Sequence, residues 1–561
     1  MSKMPSASIS KITFFGETSF NLAPDDKIVL VGPNNAGKSQ VLRDIQTICR
    51  TGRVEDAIVV KDLELEKDGS EEDLQHFLNE YADYRDRHYY YRDWVIHESY
   101  LAFWSDSYLK ENITEGFIRQ ISANERLSIC EQQKSVSPDE RKTKPQHILY
   151  DDEALMAKIS GLFRAAFGKD IMFDFRGGSK LPIHVGEVPE GVGLENRVGD
   201  RYVEAVRVHP LLDKQGDGMK SYAGILFDAV VANRNITLID EPEAFLHPPQ
   251  MRKLGETLAS EVSGQLLVAT HSSDILRGFL EGAKGNVRIL RIHRDGDYNI
   301  VYEASTDTIR ELWQKPDIRY SNALDGIFHE QTIICEDDSD CRLINAVADH
   351  LATQDKSPWQ DTVYVPTGGK HGAPKIANVL RNIGVPVKTV FDIDFLSEKT
   401  LVKEMVEAQG GDWKRIQKKW SRLDAGVRGG VKVKSDLEIK EEIIHLLQKD
   451  RDELPRKEIA MLMKASKAWE NIKKFGERAI PNGEAQTIYS DLKRELEGLG
   501  IFLVPVGEVE NFCQSVGNHG PRFVTKLLAE FSLDDSCLKE LRQFVAVVHK
   551  GDHGALPQNS V

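Results

Sequence analysis

The sequence has few cysteines and no long apolar run. Its 6 cysteines are scattered among 561 residues and form no C-x-x-C pair. That usage argues against a disulfide framework and a zinc finger, and it favours a reducing cytoplasm. No apolar run reaches the length of about 18 residues that a membrane span needs, and the N-terminus has no apolar stretch of signal-peptide length. We therefore expect a cytoplasmic protein without membrane contact.

Sustained heptads and internal repeats are also absent. With 40% hydrophobic and 29% charged residues, the composition is that of an ordinary globular protein. At roughly 150 residues per domain, the length predicts about three or four domains. The formal net charge is −15, but a whole-chain sum hides local patches, so it does not exclude nucleic acid as a partner.

Strand patterns alternate with helical ones in both halves of the chain, which predicts an α/β protein with parallel sheets. The boundary falls near residue 325, so we expect an ATPase-type domain over 1–325 and a second domain over 326–561. The first domain would contain a helical insertion at about 67–169, and the second a basic helical insertion at about 396–480. The predicted strands are 27–31, 236–239, 266–269, 287–292, 298–303, 332–335, 362–365, 387–391 and 501–506.

The segment GPNNAGKS at 32–39 satisfies G-x-x-x-x-G-K-[ST] between a strand and a helix. Such a loop curls its backbone N–H groups around phosphate oxygens, and glycine permits that close approach. Lys38 would reach the β- and γ-phosphates, and Ser39 would hold Mg²⁺. The helix N-terminus would face the anion. The other loop residues that we assign to ATP binding are Gly32, Asn35 and Gly37.

Two acids and a histidine follow later strands. Asp240 and Glu241 come at the end of the apolar segment 236–239, and His271 follows the segment 266–269. Asp240 suits the Mg²⁺ shell, and Glu241 suits a general base that polarises the attacking water. His271 would sense the γ-phosphate. Alone, each would be read as an exposed strand-end acid or a structural histidine, but their order after the phosphate loop favours the catalytic interpretation.

The segments GPNNAGKS, LIDEPEAFLHP and LLVATHSSDIL resemble the ABC-type ATPase heads of SMC-like and OLD (overcoming lysogenization defect) proteins. In such heads, a signature segment of one protomer closes on the nucleotide held by the other. The segment QGDGMKS at 215–221 stands in the corresponding place, although it lacks the L-S-G-G-Q wording. The resemblance implies that Gly218 and Ser221 contact nucleotide and that the protein is at least a dimer. The short interval between Lys38 and Asp240 favours the compact OLD-like type.

A second set of acids follows strands of the second half. Glu336 and Asp340 come after the segment 332–335, and Asp392 and Asp394 form a D-x-D after 387–391. Carboxylates gathered at one sheet edge repel each other unless a divalent cation binds them. Ligation by oxygen alone indicates Mg²⁺ or Mn²⁺ rather than Zn²⁺. Any one of these acids alone would be an ordinary helix cap, but the ordered set favours a metal site.

These four acids resemble those of a Toprim domain, whose pattern is an apolar strand, E-G-x-x-D and then D-x-D. Asp337 replaces the usual glycine. An ATPase followed by a Toprim domain is the order found in OLD nucleases, and two metals would stabilise the attacking and leaving oxygens of phosphodiester hydrolysis. Between the acids, the segment TGGK at 367–370 is either a phosphate-approaching loop or a plain turn.

The resemblance also implies a late acid and a late lysine in the nuclease site. We choose Glu510 as the late acid, with Glu508 as the alternative. Lys550 is the choice for the lysine, and Lys526 and Lys539 compete with it. Topoisomerases, primases and recombination mediators also use Toprim domains, but none of their tyrosine-bearing or zinc-binding accessory signals is present.

Residues 411–480 carry 18 Lys+Arg and 12 Asp+Glu, a local charge of +6. Trp413 and Trp420 are interleaved with these basic residues. Such clustering suits phosphate contacts, although a solvated helical face has a similar composition. The position between the D-x-D and Glu510 favours an insertion that guides DNA.

Together these features predict an ATP-binding and ATP-hydrolysing, Mg²⁺- or Mn²⁺-dependent DNA endonuclease of OLD type. The resemblance implies a role in anti-phage defence, with a helicase or a retron as an occasional partner. One alternative is a DNA-sensing ATPase scaffold whose Toprim domain is inactive and recruits a separate effector; Asp337 in place of the Toprim glycine is the feature that supports it. Another is a repair ATPase of the SMC-like kind.

Overall fold

The computed structural model describes residues 4–137, 140–188, 197–296, 298–315, 322–355, 359–430, 434–448, 454–464 and 467–557. The chain divides into two compact units. Among the described residues, those up to 315 form the first unit and those from 322 to 557 form the second. Within the described ranges, every helix is too short or too polar to cross a membrane.

The first unit is built around a six-stranded sheet that carries the nucleotide motifs. Its strands lie in the order Tyr298–Glu303, Arg288–Asp295, Lys27–Val31, Gln265–Ala269, Ile236–Asp240 and Ile118–Ile121. All neighbours are parallel except the first two strands, which form the predicted hairpin. The inner strands are apolar and almost wholly buried, as expected for strands covered on both faces. Their carboxyl ends meet at one edge, and the phosphate loop, Asp240 and His271 follow them there.

Helices cover this sheet and join its strands. The α-helices are Lys38–Thr51, Glu71–Tyr81, Ile113–Phe117, Glu125–Ser128, Pro145–Asp151, Glu153–Phe167, Asp200–Arg207, Asp217–Ile225, Pro248–Glu261, Ser273–Gly282 and Thr306–Gln314. Shorter 3₁₀ turns span Glu98–Ser105 and Leu212–Lys214, and a π-helical stretch spans Leu226–Val231.

The predicted helical insertion at 67–169 is only partly helical. An antiparallel sheet of Ser19–Asn21, Ser6–Phe14 and Val60–Asp68 precedes it and overlaps its start. A second antiparallel sheet lies inside it, made by Asp83–Arg85, His88–Tyr91 and Trp94–His97, and Ile118–Ile121 joins the main sheet. The aromatic run at 89–91 belongs to a strand, where aromatic residues pack well on a pleated surface. Two small pairs complete the unit: Gln133–Lys134 with Lys180–Leu181, and Asp170–Phe173 with Ile183–Gly186.

The second unit contains the four-stranded parallel sheet that its alternating pattern predicts. The strand order is Thr362–Pro366, Gln331–Cys335, Val387–Phe391 and Ile501–Leu503. Chain order reverses beside the first strand of the unit, and ligands of open α/β sheets bind outside the carboxyl ends at such a reversal. Glu336 and Asp392 directly follow the two neighbouring strands at that point. The fold class predicted from the sequence is confirmed.

Helices flank this sheet and form its insertion. The α-helices are Asp338–Gln354, Ala373–Asn382, Lys399–Ala408, Trp413–Gly430, Asp436–Leu447, Arg456–Lys464, Ala468–Phe475, Glu484–Gly498, Pro521–Glu530 and Lys539–Lys550. The 3₁₀ turns are Asn322–Phe328, Lys370–Gly372, Ile393–Ser397, Gly476–Ala479, Val509–Val516 and Ser536–Leu538.

The two tryptophans of the basic insertion belong to its core. Trp413 and Trp420 are each 7% exposed, and Ile416, Leu423 and Val427 are buried on the same face of the helix. Spacings of three and four residues place these side chains on one stripe, which is the usual pattern of a helix packed on a core. The interpretation of the aromatics as part of a DNA-contacting surface is therefore wrong, because stacking on bases needs exposed rings.

Candidate functional sites

The phosphate loop adopts a conformation that its glycines allow. Gly32 has φ +136°, and a Cβ there would lie 2.2 Å from the carbonyl oxygen of Ile292, so a side chain does not fit. Asn35 has φ +61°. Gly37 is the N-cap of the helix Lys38–Thr51 with φ 95°. The loop therefore leads directly into the N-terminus of the helix. The backbone N–H groups of a helix N-terminus have no partner within the helix, so this end suits an anion.

Lys38 and Ser39 make contacts that fit a nucleotide site. The Lys38 ammonium donates to the carbonyl oxygens of Gly32 and Pro33, both at 2.8 Å. Burial lowers the pKa of Lys38 to about 8, against the opposing effect of nearby acids. The Ser39 hydroxyl donates to Asp240 Oδ1 at 2.8 Å. Sequence segments far apart in the chain thus bring the two predicted Mg²⁺ ligands into direct contact.

Glu241 and His271 lie opposite the loop. The Nε2 of His271 is 3.7 Å from Glu241 Oε1, and burial followed by the charge of Lys38 lowers the pKa of His271. One cavity of about 600 Å³ lies between the phosphate loop and these two residues. It is lined by Asn34, Asn35, Ala36, Gly37, Lys38, Ser39, Gln40, Arg43, Glu241, His271 and Arg294. Most of the predicted nucleotide residues therefore line one cavity; Gly32, Asp240 and the signature residues do not line it.

Glu243 is a site residue that the sequence reasoning missed. Its carboxylate accepts from the Thr270 hydroxyl at 2.8 Å and from the His271 backbone N–H at 2.6 Å. Burial raises the pKa of Glu243. The acid thereby fixes the loop that presents His271 to Glu241. The available signal was the third acid of the segment DEPE, two residues after the assigned base.

The signature residues do not reach this cavity within the chain. Ser221 is 0% exposed, and its hydroxyl donates to the carbonyl oxygen of Ala244 at 3.2 Å. A side chain buried in this way is not presented to a nucleotide on another protomer, so the placement contradicts the role assigned to Ser221. Gly218 is partly exposed at the start of the helix Asp217–Ile225, and a Cβ there would lie 2.8 Å from the Phe245 carbonyl oxygen.

Three of the predicted nuclease acids form one cluster in the second unit. Carboxylate oxygens of Glu336, Asp392 and Asp394 lie within 4.8 Å of one another. Glu336 Oε1 also accepts the backbone N–H of Asp392 at 3.1 Å. Burial raises the pKa values of Glu336 and Asp392. Asp394 Oδ1 is buried and has no hydrogen-bond donor in the described structure. These are the properties of a carboxylate set that a cation would stabilise.

Asp340 lies between this cluster and a second one. Burial and the charges of Asp337, Glu336 and Glu510 raise the pKa of Asp340 to about 7. The second cluster consists of Glu508, Glu510 and His519, whose ligand atoms also lie within 4.8 Å of one another. Both candidates for the late acid are thus beside each other, and the structure places them near the acids that the sequence assigned first.

Asp337, which stands where the Toprim pattern has glycine, is the N-cap of the helix Asp338–Gln354. Its Oδ1 accepts the backbone N–H groups of Ser339 at 2.8 Å and Asp340 at 3.2 Å. Its φ of −140° is extended backbone, which any residue adopts. The turn is therefore undistorted by the departure from glycine.

The segment 367–370 turns back onto the acid cluster. The Gly369 N–H donates to the carbonyl oxygen of Glu336 at 2.7 Å, and Gly368 and Gly369 both have positive φ. The Lys370 ammonium lies 3.3 Å from Asp394 Oδ2 and 2.8 Å from Glu398 Oε1. The loop therefore brings a lysine to the acids, which favours the phosphate-approaching interpretation over a plain turn.

A second lysine reaches the cluster from the helical insertion. The Lys473 ammonium lies 2.7 Å from Asp392 Oδ2 and 3.6 Å from Asp394 Oδ1. Burial opposes its charge, but the two aspartates outweigh that effect and raise the pKa of Lys473. No sequence motif pointed to this residue, because it lies among many lysines of a segment without a recognisable pattern.

None of the proposed late lysines lies at the acids. Lys550 pairs with Asp355 at 2.9 Å and lies over the ring of Trp359. Asp355 follows the helix Asp338–Gln354 at the end opposite Asp340, and a helix of that length spans about 25 Å. The choice of Lys550 is therefore wrong for this structure. Lys526 donates to the Val516 carbonyl oxygen at 2.9 Å, and Lys539 is exposed on the last helix.

Two protein families match the chain, one in each unit. Residues 27–277 match a family whose description reads "AAA domain, putative AbiEii toxin, Type IV TA system". Residues 327–394 match the Overcoming lysogenization defect protein-like TOPRIM domain. The chain thus carries an ATPase domain followed by an OLD-like Toprim domain, which confirms the resemblance drawn from the motifs.

Comparisons with individual known proteins give partial matches at low identity. The chain is 25% identical over 179 residues to the Old nuclease of Escherichia phage P2, a match that spans 30% of each protein. Among solved structures, an Smc head bound to the C-winged helix domain of ScpA has 14% identity and a TM-score of 0.34 over 54% of this chain and 99% of that one. MJ1267, an ATP-binding cassette of an ABC transporter, has 12% identity and a TM-score of 0.23 over 57% and 98%. Scores at this level say little, so the fold assignment depends on sheet topology and the family matches.

Proposed function

We propose that this chain, an ATPase domain followed by an OLD-like Toprim domain, is an ATP-binding DNA endonuclease that requires Mg²⁺ or Mn²⁺. The observation that carries the proposal is the pair of adjacent acid clusters at the carboxyl edge of the second sheet. ATP binding is supported by the single cavity that gathers the phosphate loop, Glu241 and His271.

The residues of the acid clusters fit divalent cations. Glu336, Asp392 and Asp394 supply three carboxylates within bridging distance, and Asp394 Oδ1 is buried with no hydrogen-bond donor among the described residues. Mg²⁺ and Mn²⁺ prefer oxygen ligands, and the histidine in the cluster of Glu508, Glu510 and His519 is more compatible with Mn²⁺ than with Mg²⁺. Asp340 stands between the two sets. When bound, two metal ions would supply charge stabilisation for the attacking and leaving oxygens of a phosphodiester.

In the ATPase unit, each side chain has a role that its contacts support. Lys38 would release the carbonyl oxygens of its own loop to contact phosphate, and Ser39 with Asp240 would hold Mg²⁺. Glu241 would accept a proton from the attacking water, with His271 beside it at 3.7 Å. Glu243 would position His271, whose backbone N–H it accepts at 2.6 Å.

A plasmid-nicking assay with Mg²⁺ or Mn²⁺ tests the nuclease. Glu336→Gln and Asp392→Asn should each reduce nicking at least about 100-fold, because each removes a metal-binding charge. Asp338→Asn is the matched control, since Asp338 is 62% exposed on the adjacent helix and pairs with Arg342. Undiminished nicking by both site variants would contradict the assignment.

The ATPase is tested separately with Glu241→Gln. This variant should still bind ATP, since the phosphate loop is intact, but ATP turnover should fall at least about 100-fold without a general base. Comparing nicking by this variant with and without ATP shows whether hydrolysis or binding alone governs cleavage.

The scaffold with an inactive Toprim domain remains the alternative. The substitution of Asp337 for glycine was the feature that suggested lost catalysis, but Asp337 caps a regular helix in extended backbone. Its placement gives no reason for inactivity. The nicking assay separates the two functions, because a scaffold would hydrolyse ATP and never nick DNA.

The proposal has three further parts: the substrate is DNA, a dimer shares ATP between protomers, and the protein acts in anti-phage defence with a helicase or retron partner. They rest on the likeness to OLD proteins. A cytoplasmic location is proposed from the few, scattered cysteines of the sequence.

A further inference from the structure

We propose that Lys473, a residue of the helical insertion, is a catalytic lysine of the nuclease site that contacts the scissile phosphate. The inference rests on the proposed nuclease function and adds a residue that lies outside the Toprim motifs. It also gives the insertion a role in the reaction, in place of a peripheral role in holding DNA.

The position of Lys473 is defined by the acids of the site. Its ammonium contacts Asp392 and Asp394 at 2.7 Å and 3.6 Å, and its side chain is 26% exposed. Both partners belong to the candidate metal cluster. Lys473 therefore occupies the region in which a phosphate and its cations would meet.

The backbone around Lys473 is built to hold it there. Gly507 has φ +102°, and a Cβ at this position would lie 1.9 Å from the Lys473 carbonyl oxygen. The Asn511 side-chain amide donates to the carbonyl oxygens of Lys473 and Lys474 at 3.3 Å and 3.2 Å. Glu477 N–H donates to Pro505 at 2.8 Å. The helix Ala468–Phe475 is thus fastened to the loop that leads to Glu508 and Glu510.

Lys370, the other lysine at the acids, is held differently. Its closest partner is Glu398 at 2.8 Å, and Asp394 is farther away at 3.3 Å. Glu398 lies outside both acid clusters, so Lys370 keeps an anionic partner when the cluster binds cations. Among the described residues, Lys473 forms its ion pairs with the cluster acids Asp392 and Asp394 alone, so it loses these counter-charges in that state.

This difference determines what Lys473 can do. Without metal, Lys473 balances part of the buried negative charge of Asp392 and Asp394. Once those carboxylates ligate cations, the Lys473 ammonium is left at the site with its charge free for a phosphodiester oxygen. A cavity of about 610 Å³ reaches the cluster at Asp394, is also lined by Lys370 and Trp469, and offers room for a nucleotide. Lys473 would hold the phosphate and stabilise the negative charge that develops on it.

The test compares Lys473→Met, Lys473→Arg and the control Lys474→Met. Lys474 is the neighbouring lysine and lies over the exposed ring of Phe475. Nicking of plasmid DNA is measured at saturating Mn²⁺, and Mn²⁺ affinity is measured by calorimetric titration without DNA. Lys473→Met should nick at least about 100-fold more slowly, yet bind Mn²⁺ roughly ten-fold more tightly because a competing positive charge is gone. Lys473→Arg should recover part of the nicking, and Lys474→Met should match the wild type in both measurements.

Two results would overturn the proposal. If Lys473→Met binds Mn²⁺ more tightly and nicks as fast as or faster than the wild type, Lys473 is only a counter-ion. If it nicks poorly, binds Mn²⁺ more weakly and is not rescued by arginine, Lys473 is only structural. Wild-type protein that never nicks with either metal would instead refute the proposed nuclease function, and with it this role of Lys473.

Discussion

His549 should make the second unit sensitive to mild acid. It lies on the last helix, Lys539–Lys550, and is 7% exposed. Its Nε2 is 2.6 Å from the Tyr364 hydroxyl, and its ring lies against Trp359. Burial, and then the charge of Lys388, lower the pKa of His549 from 6.5 to about 4. The folded unit therefore contains a neutral histidine that the unfolded chain would protonate.

The sign of the effect follows from which state binds the proton. Between pH 6.5 and about 4 the unfolded chain carries a proton on His549 and the folded chain does not. Stability is therefore complete above pH 6.5 and falls as the pH is lowered toward 4. Applying the linkage relation to these two pKa values gives a loss of about 2 kcal/mol in the free energy of unfolding between pH 7 and pH 5.

The variant His549→Gln isolates this contribution. Glutamine keeps an amide group for the Tyr364 hydroxyl but does not titrate. Hydrogen exchange of the helix Lys539–Lys550 should be followed at pH 7 and pH 5, after correction for intrinsic rates, because a whole-chain melt would mix the two units. The wild type should lose about 2 kcal/mol more protection than the variant. Equal losses in the two proteins would refute the reasoning, since His553 and the other titrating groups are common to both.

Two further predictions concern residues that position the sites. Glu243→Ala should slow ATP turnover about 10- to 100-fold because His271 is misplaced, while nucleotide affinity should change less than about two-fold. Steady-state hydrolysis and equilibrium binding measure the two quantities. Equal losses of turnover and affinity would contradict a positioning role. Asp337→Ala should lower the free energy of unfolding by about 1 kcal/mol because the helix loses its cap, whereas Asp337→Ser should lower it by only a few tenths of a kcal/mol. Denaturant titration measures both values. A larger loss for serine than for alanine would contradict the capping role.

The order of the candidate site residues along the chain was enough to predict which of them the fold brings together in each unit. The phosphate loop, Asp240, Glu336 and Asp392 lie at or directly after the ends of strands, and the carboxyl ends of parallel strands meet at one edge of a sheet. Ser39 and Asp240 illustrate this, since they are far apart in sequence and 2.8 Å apart in the structure. Glu336 and Asp392 behave in the same way in the second unit. Strand order and local motif therefore determine these contacts together.

Residues that reach a site from outside the motifs could not be predicted in this way. Lys473 arrives through the packing of an insertion helix against the loop at 505–507, and no local pattern encodes that packing. Lys550 shows the converse: it comes late in the chain, as expected of the family lysine, but the last helix runs its C-terminus to Asp355, away from the acids. Trp413 and Trp420 were misread because alternation with lysine conceals a helical stripe of core residues.

The ion pairs of the insertion change how its positive charge should be interpreted. Several of its cations are matched by acids elsewhere in the unit: Arg415 and Lys419 by Glu495, and Arg422 by Glu484. A local charge of +6 therefore does not form a wholly free surface for DNA, because part of it ties the insertion to the helix Glu484–Gly498. The attraction for a phosphodiester must then come largely from the site itself, where cations neutralise the clustered carboxylates. Lys473 belongs to that balance, which is why its removal should affect metal affinity and cleavage in opposite directions.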